Sequence, residues 1–155
     1  MSTTIEQRLA SLGLTLPEAP APVANYVPHL IAGDLLFVSG QISKAPDGSI
    51  VGGRLGAGLS IEDGQQAARY CALNILAQAK AALGSLDRVA QVMRLNGFVA
   101  STPECGDQPK VVNGASDLMV AVLGDAGRHT RVAVGVASLP AGCAVEIDAV
   151  IRIEP

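Results

Sequence analysis

The stretch that decides the fold is TRVAVGVASLPAGCAVEIDAVIRI, residues 130–153. Its first half alternates with a period of two, which predicts a strand with two different faces. The two faces carry Val132, Val134 and Val136 on one side and Arg131, Ala133, Gly135 and Ala137 on the other. The valines predict a core face. The second face carries one guanidinium followed by three residues with little or no side chain.

The second half of the stretch predicts another strand, joined to the first as a hairpin by a tight turn at Pro140–Gly142. Its two faces carry Val145, Ile147, Ala149, Ile151 and Ile153 on one side and Glu146, Asp148, Val150 and Arg152 on the other. If the apolar set packs under helices, the charged set shares a face with Arg131. In this hairpin Glu146 lies opposite Gly135 or Ala137, about 13–20 Å along the strand from Arg131. The two side chains are therefore not expected to touch within one chain, and their face suits contact with another subunit.

The remaining sequence predicts one further hairpin and three helices. Gly33-Asp34 divides two apolar runs of the hairpin, and Pro28 in the first run indicates an edge strand. The other predicted elements are a short helix over 3–12, a Pro-rich connector over 14–22, a helix from Ser60 to Gly84, a strand over 89–100 and a helix over 110–123. After the first helix, the order is strand, strand, helix, strand, helix, strand, strand. This order predicts a single two-layer α+β domain over 1–155, in which residues 1–20 are an additional helix and connector.

Composition narrows the possible functions. The chain has 155 residues, of which 49% are hydrophobic and only 16% charged, so an interface with other copies of itself is expected. A net charge of −3 and an aromatic content of 3% argue against a nucleic-acid partner. No apolar run reaches the ~18 residues of a membrane span.

The three cysteines indicate a reducing environment. Cys71, Cys105 and Cys143 are far apart and odd in number, which supports neither a disulfide framework nor a zinc site. A cytoplasmic location is the simplest expectation.

Several polar residues are candidates for chemistry, and each has a simpler explanation. Arg131 is either a surface arginine paired with a carboxylate or a planar fork that binds the carboxylate of a ligand. Glu146 is either a solvated strand carboxylate or a group that meets ligand and water in a shared cleft. Ser39-Gly40 is either a turn or an anion-binding hydroxyl and amide.

Other side chains carry weaker signals. Tyr26 is most simply a half-buried packing residue. His29 and His129 have no metal-ligand partners in the local sequence, so surface or packing roles are expected for both. No GxSxG elbow and no phosphate-binding glycine motif is present, which argues against a serine hydrolase and a nucleotide site.

Three segments together resemble the Rid/YjgF family of reactive-intermediate enamine/imine deaminases. They are TRVAVGVASLPAGCAVEIDAV (130–150), LLFVSGQI (35–42) and VVNGASDLM (111–119). The resemblance implies a chorismate-mutase-like α+β fold, with a mixed sheet and two helices on one face. It also implies a homotrimer with ligand clefts between subunits and no cofactor or metal.

The resemblance further implies a 2-iminobutanoate/2-iminopropanoate-type deaminase. In such enzymes an arginine binds the carboxylate of a 2-imino or 2-enamino acid, water adds to the imine carbon, and ammonia leaves a 2-keto acid. By position, the family's site residues correspond to Arg131, Glu146, Tyr26, Ser39, Gly40, Asn113 and Ala133.

The chain departs from this family pattern at three places. Asn25 stands where deaminating members often have proline, Ala133 stands where they often have cysteine, and the loop STPECGDQP (101–109) is longer than in short members. The longer loop and the additional N-terminal helix indicate a longer subgroup. Ala133 can still act through its backbone N–H.

Three functions are consistent with these features to different degrees. The first is hydrolytic deamination of small imino acids. The second is a non-catalytic trimer that binds 2-keto or other carboxylic acids, and both of these use Arg131. The third is an RNA-directed role as an endoribonuclease or translation inhibitor, which the acidic charge and scarcity of aromatics disfavour.

Overall fold

The computed structural model describes residues 3–19, 21 and 24–155. The strands are β1 His29–Ala32, β2 Leu35–Ile42, β3 Val89–Ala100, β4 Thr130–Val136 and β5 Val145–Ile153. The helices are α1 Ile5–Ser11, α2 Ile61–Leu83 and α3 Gln108–Leu123. The predicted α+β class and element order are confirmed. The Pro-rich connector has no regular structure at 14–19, and its residues 20 and 22, like residue 23, lie outside the described part of the chain.

The helix boundaries follow the predicted signals. The Ser60 side chain accepts a hydrogen bond from the Asp63 amide at 3.0 Å, which caps the first turn of α2. Gly84, with φ of 80°, ends that helix. Pro109 occupies the first turn of α3, where its missing N–H costs nothing.

The strand order in the sheet is β1-β2-β5-β3-β4, so the predicted hairpin of the last two strands is wrong. β4 runs parallel to β3, and β5 lies antiparallel between β2 and β3. Glu146 therefore pairs with Phe98 of β3 and Ile42 of β2, rather than with Gly135 or Ala137. The reason is that α3 links β3 to a parallel strand, and this crossover brings β4 beside β3.

Both long helices cover the same face of the sheet. α2 packs against β2 and β5, and α3 packs against β3 and β4. The apolar side of β5, which carries Val145, Ile147, Ala149, Ile151 and Ile153, is buried as predicted. The approach of α3 is close, because a Cβ added at Gly97 of β3 would overlap Val112, and one added at Gly114 would overlap the backbone of Gln65 in α2. These glycines set the distance of α3 from its neighbours.

The faces of β4 are reversed relative to the prediction. Val132 and Val134 lie on the uncovered face and are 37% and 44% exposed. Arg131, Ala133 and Gly135 face α3 instead. The small residues are needed there, since a Cβ at Gly135 would overlap side chains next to the start of α3.

The uncovered face also carries the charged residues of β5, so the prediction that they share a face with Arg131 is wrong. Glu146 pairs through Phe98 with Val134, and paired residues point to the same side of a sheet. The same face exposes Leu30 and Phe37, at 59% and 41%. Within one chain, this face is apolar at both ends and polar in its centre.

The additional helix α1 docks on the helical layer. Thr4 and Gln7 form a reciprocal capping box at its start. Arg8 Nε donates to the Ala121 carbonyl of α3 at 2.9 Å, and Leu9 is buried in the core.

The close approach of α3 predicts that Gly114→Ala is strongly destabilising. The new Cβ meets backbone, which cannot rotate away, so we expect a loss of about 1–3 kcal/mol in the free energy of unfolding. Urea unfolding followed by circular dichroism measures this loss. Gly106→Ala is the matched control, because nothing lies within 4 Å of a Cβ at Gly106. Equal midpoints for the two variants would contradict the packing argument.

Candidate functional site

Arg131 is held on the helix side of the edge strand β4 by three groups of α3. Its Nη1 donates to Asn113 Oδ1 at 2.8 Å and to Ser116 Oγ at 3.1 Å. Its Nη2 donates to the Pro109 carbonyl at 3.4 Å. The guanidinium is thus fixed in orientation by one helix, although the side chain is only partly buried.

These contacts leave part of the guanidinium available. A guanidinium has five N–H donors, and the contacts above use three of them. The Nε–H and the second Nη2–H have no acceptor among the residues that the structure describes. Because Nε and Nη2 form one edge of the planar group, a carboxylate that approaches this edge can accept two parallel hydrogen bonds.

Ser116 and His129 extend the network behind Arg131. Ser116 Oγ lies 2.9 Å from His129 Nε2, and His129 Nδ1 lies 2.7 Å from the Gly127 carbonyl oxygen. The pKa of His129 is lowered, mainly because the ring is partly buried. The hydrogen bond to the Gly127 carbonyl raises the pKa, and the positive charge of Arg131 lowers it further. Sequence reasoning missed Ser116 and assigned His129 a surface or packing role. Their spacing was the available signal: Ser116 lies one helical turn after Asn113, and His129 lies two residues before Arg131.

A second group of predicted residues lines a cavity of about 440 Å³. Tyr26, Ser39, Gly40 and Glu146 all border it, together with Lys44 and Gln78. The structure therefore brings together four of the residues singled out from the sequence.

A β-bulge shapes this cavity. The register between β2 and β5 shifts between Val38 and Gln41, which sets Ser39 and Gly40 apart from the regular ladder. Gly40 lies against Glu146, and a Cβ there would overlap the carboxylate. Ser39 Oγ donates to the Val27 carbonyl at 2.7 Å, so this hydroxyl holds the segment that carries Tyr26.

The surroundings of Glu146 disfavour the ionised form of its carboxyl group. Partial burial raises the pKa of its carboxyl, and the neighbouring Asp148 carboxylate raises it further. Asp148 accepts from Asn96 Nδ2 at 2.7 Å, and Asn96 Oδ1 accepts from Arg94 Nε at 2.9 Å. Asp148 therefore has a polar network of its own, while Glu146 faces the cavity.

The two groups of residues do not meet within one chain. Arg131 pairs with Leu95, which pairs with Ala149, three residues along β5 from Glu146. The offset is about 10 Å along the strands and about 10 Å across them, and the two side chains point to opposite faces. Asn113 and Ala133 lie on the Arg131 side, and neither borders the Glu146 cavity.

In the described residues, no three His, Cys, Asp or Glu side chains are placed to hold a metal ion. Over the same residues, no helix has the length and apolarity needed to cross a membrane.

The raised pKa of Glu146 predicts a pH-dependent gain in stability for Glu146→Gln. The pKa of Glu146 is higher in the folded protein than in the unfolded chain. The free energy of unfolding therefore falls as the pH rises through the interval between these two pKa values. Above that interval the ionised carboxylate is costly, and glutamine removes the cost. We expect a higher Tm for the variant at about pH 7 and no difference below the ordinary glutamate pKa, near pH 4.

Differential scanning fluorimetry at both pH values measures this effect. Glu104→Gln makes the same charge change at an exposed loop position and serves as the control. A gain that is equal for both variants, or that is larger in acid, would contradict the electrostatic account of Glu146.

Comparison with known proteins gives consistent relationships over almost the whole chain. Residues 6–150 match the family model described as "YjgF/chorismate_mutase-like, putative endoribonuclease". Protein TCP17 of Trypanosoma cruzi is 50% identical over 153 residues, covering 98% of this chain and 96% of the relative.

Two solved structures are similar in both sequence and fold. Atu1372 of Agrobacterium tumefaciens, whose structure is described as of unknown function, has 52% identity and a TM-score of 0.90, covering 98% of this chain and 94% of that one. A protein of Shewanella oneidensis described as a "putative endoribonuclease" has 36% identity and a TM-score of 0.93, covering 97% and 100%. The chain belongs to the Rid/YjgF family and has its chorismate-mutase-like α+β fold.

Proposed function

We propose that this protein hydrolyses small 2-imino and 2-enamino acids to 2-keto acids and ammonia. The observation that carries the proposal is the Arg131 guanidinium, which α3 fixes through Asn113, Ser116 and Pro109 while one edge stays available. A fixed planar fork is the group best suited to bind a carboxylate with two bonds. Family membership supports the same general chemistry.

The reaction needs few groups beyond this receptor. Arg131 binds the substrate carboxylate and so places the adjacent imine carbon, which is already electrophilic. Glu146 accepts a proton from a water molecule as the oxygen of that water adds to the imine carbon. Addition to the protonated imine gives a carbinolamine, and Glu146 returns its proton to the amine nitrogen. The C–N bond then breaks to release ammonia, while the hydroxyl group loses its proton to water and becomes the C=O of the keto acid. The raised pKa of Glu146 makes its carboxylate a stronger base than an ordinary glutamate, which favours this proton transfer.

The separation of Arg131 from Glu146 supports a site shared between two chains. We infer a homotrimer in which Arg131, Asn113 and Ala133 of one subunit face Tyr26, Ser39, Gly40 and Glu146 of the next. The exposed apolar residues Val132, Val134, Leu30 and Phe37 provide a surface for such an assembly. Burying them against another copy also accounts for the low charged fraction of the chain.

A trimer that binds keto or other carboxylic acids without catalysis would use the same Arg131 edge. The assay described next separates it from the enzyme, since a binder retains affinity but does not accelerate imine loss. An RNA-directed role has no comparable support on the described surface. A net charge of −3 offers little counterion release, and few aromatics are present to stack on bases.

We expect Arg131→Ala to abolish carboxylate binding and imine hydrolysis while the fold is retained. Losing two hydrogen bonds to a charged group should lower affinity or turnover on the order of 10²–10⁴-fold. Arg131→Lys keeps the charge without the fork and should retain only a small part of either activity. A serine/threonine dehydratase coupled to this protein supplies the imine, and titration calorimetry with 2-ketobutyrate measures binding.

Arg128→Ala is the matched control, because Arg128 lies three residues before Arg131 and its side chain pairs with Asp125 at the surface. If Arg131→Ala binds and turns over substrate as the parent protein does, Arg131 is structural and the proposed function fails.

We also expect inactive variants to restore each other when they assemble together. An Arg131→Ala chain still offers Glu146, and a Glu146→Gln chain still offers Arg131. Refolding an equal mixture should therefore return about one quarter of the parent activity, in particles of about three times 15.8 kDa. Light scattering measures the mass. A stable monomer, or no recovery from a mixture shown to contain mixed trimers, would contradict the shared site.

A further inference from the structure

We propose that Ser116 and His129 are positioning residues that hold the Arg131 guanidinium in the orientation needed to bind a carboxylate. This inference rests on the proposed function of Arg131 and extends it to two side chains that need not touch substrate. It depends on an unbroken series of contacts from the Gly127 carbonyl through His129 and Ser116 to Arg131.

For a neutral His129, the donors and acceptors present give every hydrogen bond in this series a direction. The Gly127 carbonyl can only accept, so His129 Nδ1 carries its proton. Neutral imidazole then offers a lone pair at Nε2, to which the Ser116 hydroxyl donates at 2.9 Å. With its proton directed to His129, the Ser116 oxygen turns its lone pairs to Arg131 Nη1, at 3.1 Å. The lowered pKa of His129 favours this neutral form.

Two members of this series, Gly127 and Ser116, are fixed by their packing. Gly127 lies against α3, where an added Cβ would overlap the Met119 backbone. Ser116 lies in the middle of α3, next to the buried Ala115. The position of Arg131 Nη1 is therefore tied to the packing of the core rather than to a mobile loop.

Fixing Nη1 also fixes the orientation of the available Nε–Nη2 edge. Asn113 and Ser116 together take both Nη1 protons and the Pro109 carbonyl takes one Nη2 proton, which leaves the Nε–H and the second Nη2–H to form the available edge. Arginine carries a large rotamer entropy, and a guanidinium that is already oriented loses less of it when a ligand binds. Without Ser116, one Nη1 proton lacks a partner, and the guanidinium is held only by Asn113 and by the longer contact of 3.4 Å from Nη2 to the Pro109 carbonyl.

The test measures both the network and its effect on substrate. In the parent protein, long-range ¹H–¹⁵N spectra at neutral pH should show His129 as the neutral tautomer protonated at Nδ1. In Ser116→Ala and His129→Phe, KM for the imino acid and Kd for 2-ketobutyrate should rise about tenfold, the loss of one hydrogen bond to a charged group. The turnover number should stay within about twofold, because the water and Glu146 are untouched.

Ser116→Thr is the conservative variant, since it keeps the hydroxyl and should retain the parent KM. Ser11→Ala is the control, because Ser11 bonds only within α1. Urea midpoints identify any variant that fails to fold. If His129→Phe does not fold, the KM and Kd of Ser116→Ala and the ¹H–¹⁵N spectra of the parent protein test the positioning role.

Failure of this inference can be told apart from failure of the proposed function. If Arg131→Ala abolishes binding but Ser116→Ala and His129→Phe keep the parent KM and Kd, the positioning role is wrong and the receptor stands. A His129 tautomer protonated at Nε2 would overturn the positioning role regardless of activity. If Arg131→Ala itself matches the parent, the proposed function fails first.

Discussion

The handedness of the two helical connections is the constraint on which the rest of this structure depends. β2, β3 and β4 all run in the same direction, and α2 and α3 carry the chain from one to the next in a single direction across the sheet. Because such crossovers are right-handed, both helices must cover the same face. Among the residues that the structure describes, no helix covers the other face.

That one-sided cover separates the chemistry into two halves. Arg131 lies under α3 and takes its partners from that helix, whereas Glu146 lies on the uncovered side beside the bulge at Gly40. Each half is well formed by itself, with a fixed guanidinium in one and a shaped cavity in the other. A reaction that needs both groups must therefore draw them from two copies of the chain, which connects the assembly we infer to the chemistry we propose.

Much of the fold could be predicted because its signals are local. Ser60, Gly84 and Pro109 mark helix ends by their own hydrogen-bonding capacity and backbone preferences. Residue types also identified Tyr26, Ser39, Gly40 and Glu146 as candidates, through the family resemblance, and these four border one cavity. Ser116 and His129 were not identified, because a serine in a helix and a histidine before a strand gain meaning only when a third element brings them to Arg131.

The sequence by itself determined the α+β class, the order of the elements and the alternation that gives β4 and β5 two faces each. It could not determine which face of β4 is covered, because valines suit a core and an intersubunit surface equally well. The alternation separates two faces but does not show which of them packs against the helices. It also could not show that β3 lies between β4 and β5, since a short connection favours a hairpin in any local reasoning. Only the tertiary structure decided both points, because the parallel crossover through α3 and the handedness of both helices are properties of the whole chain.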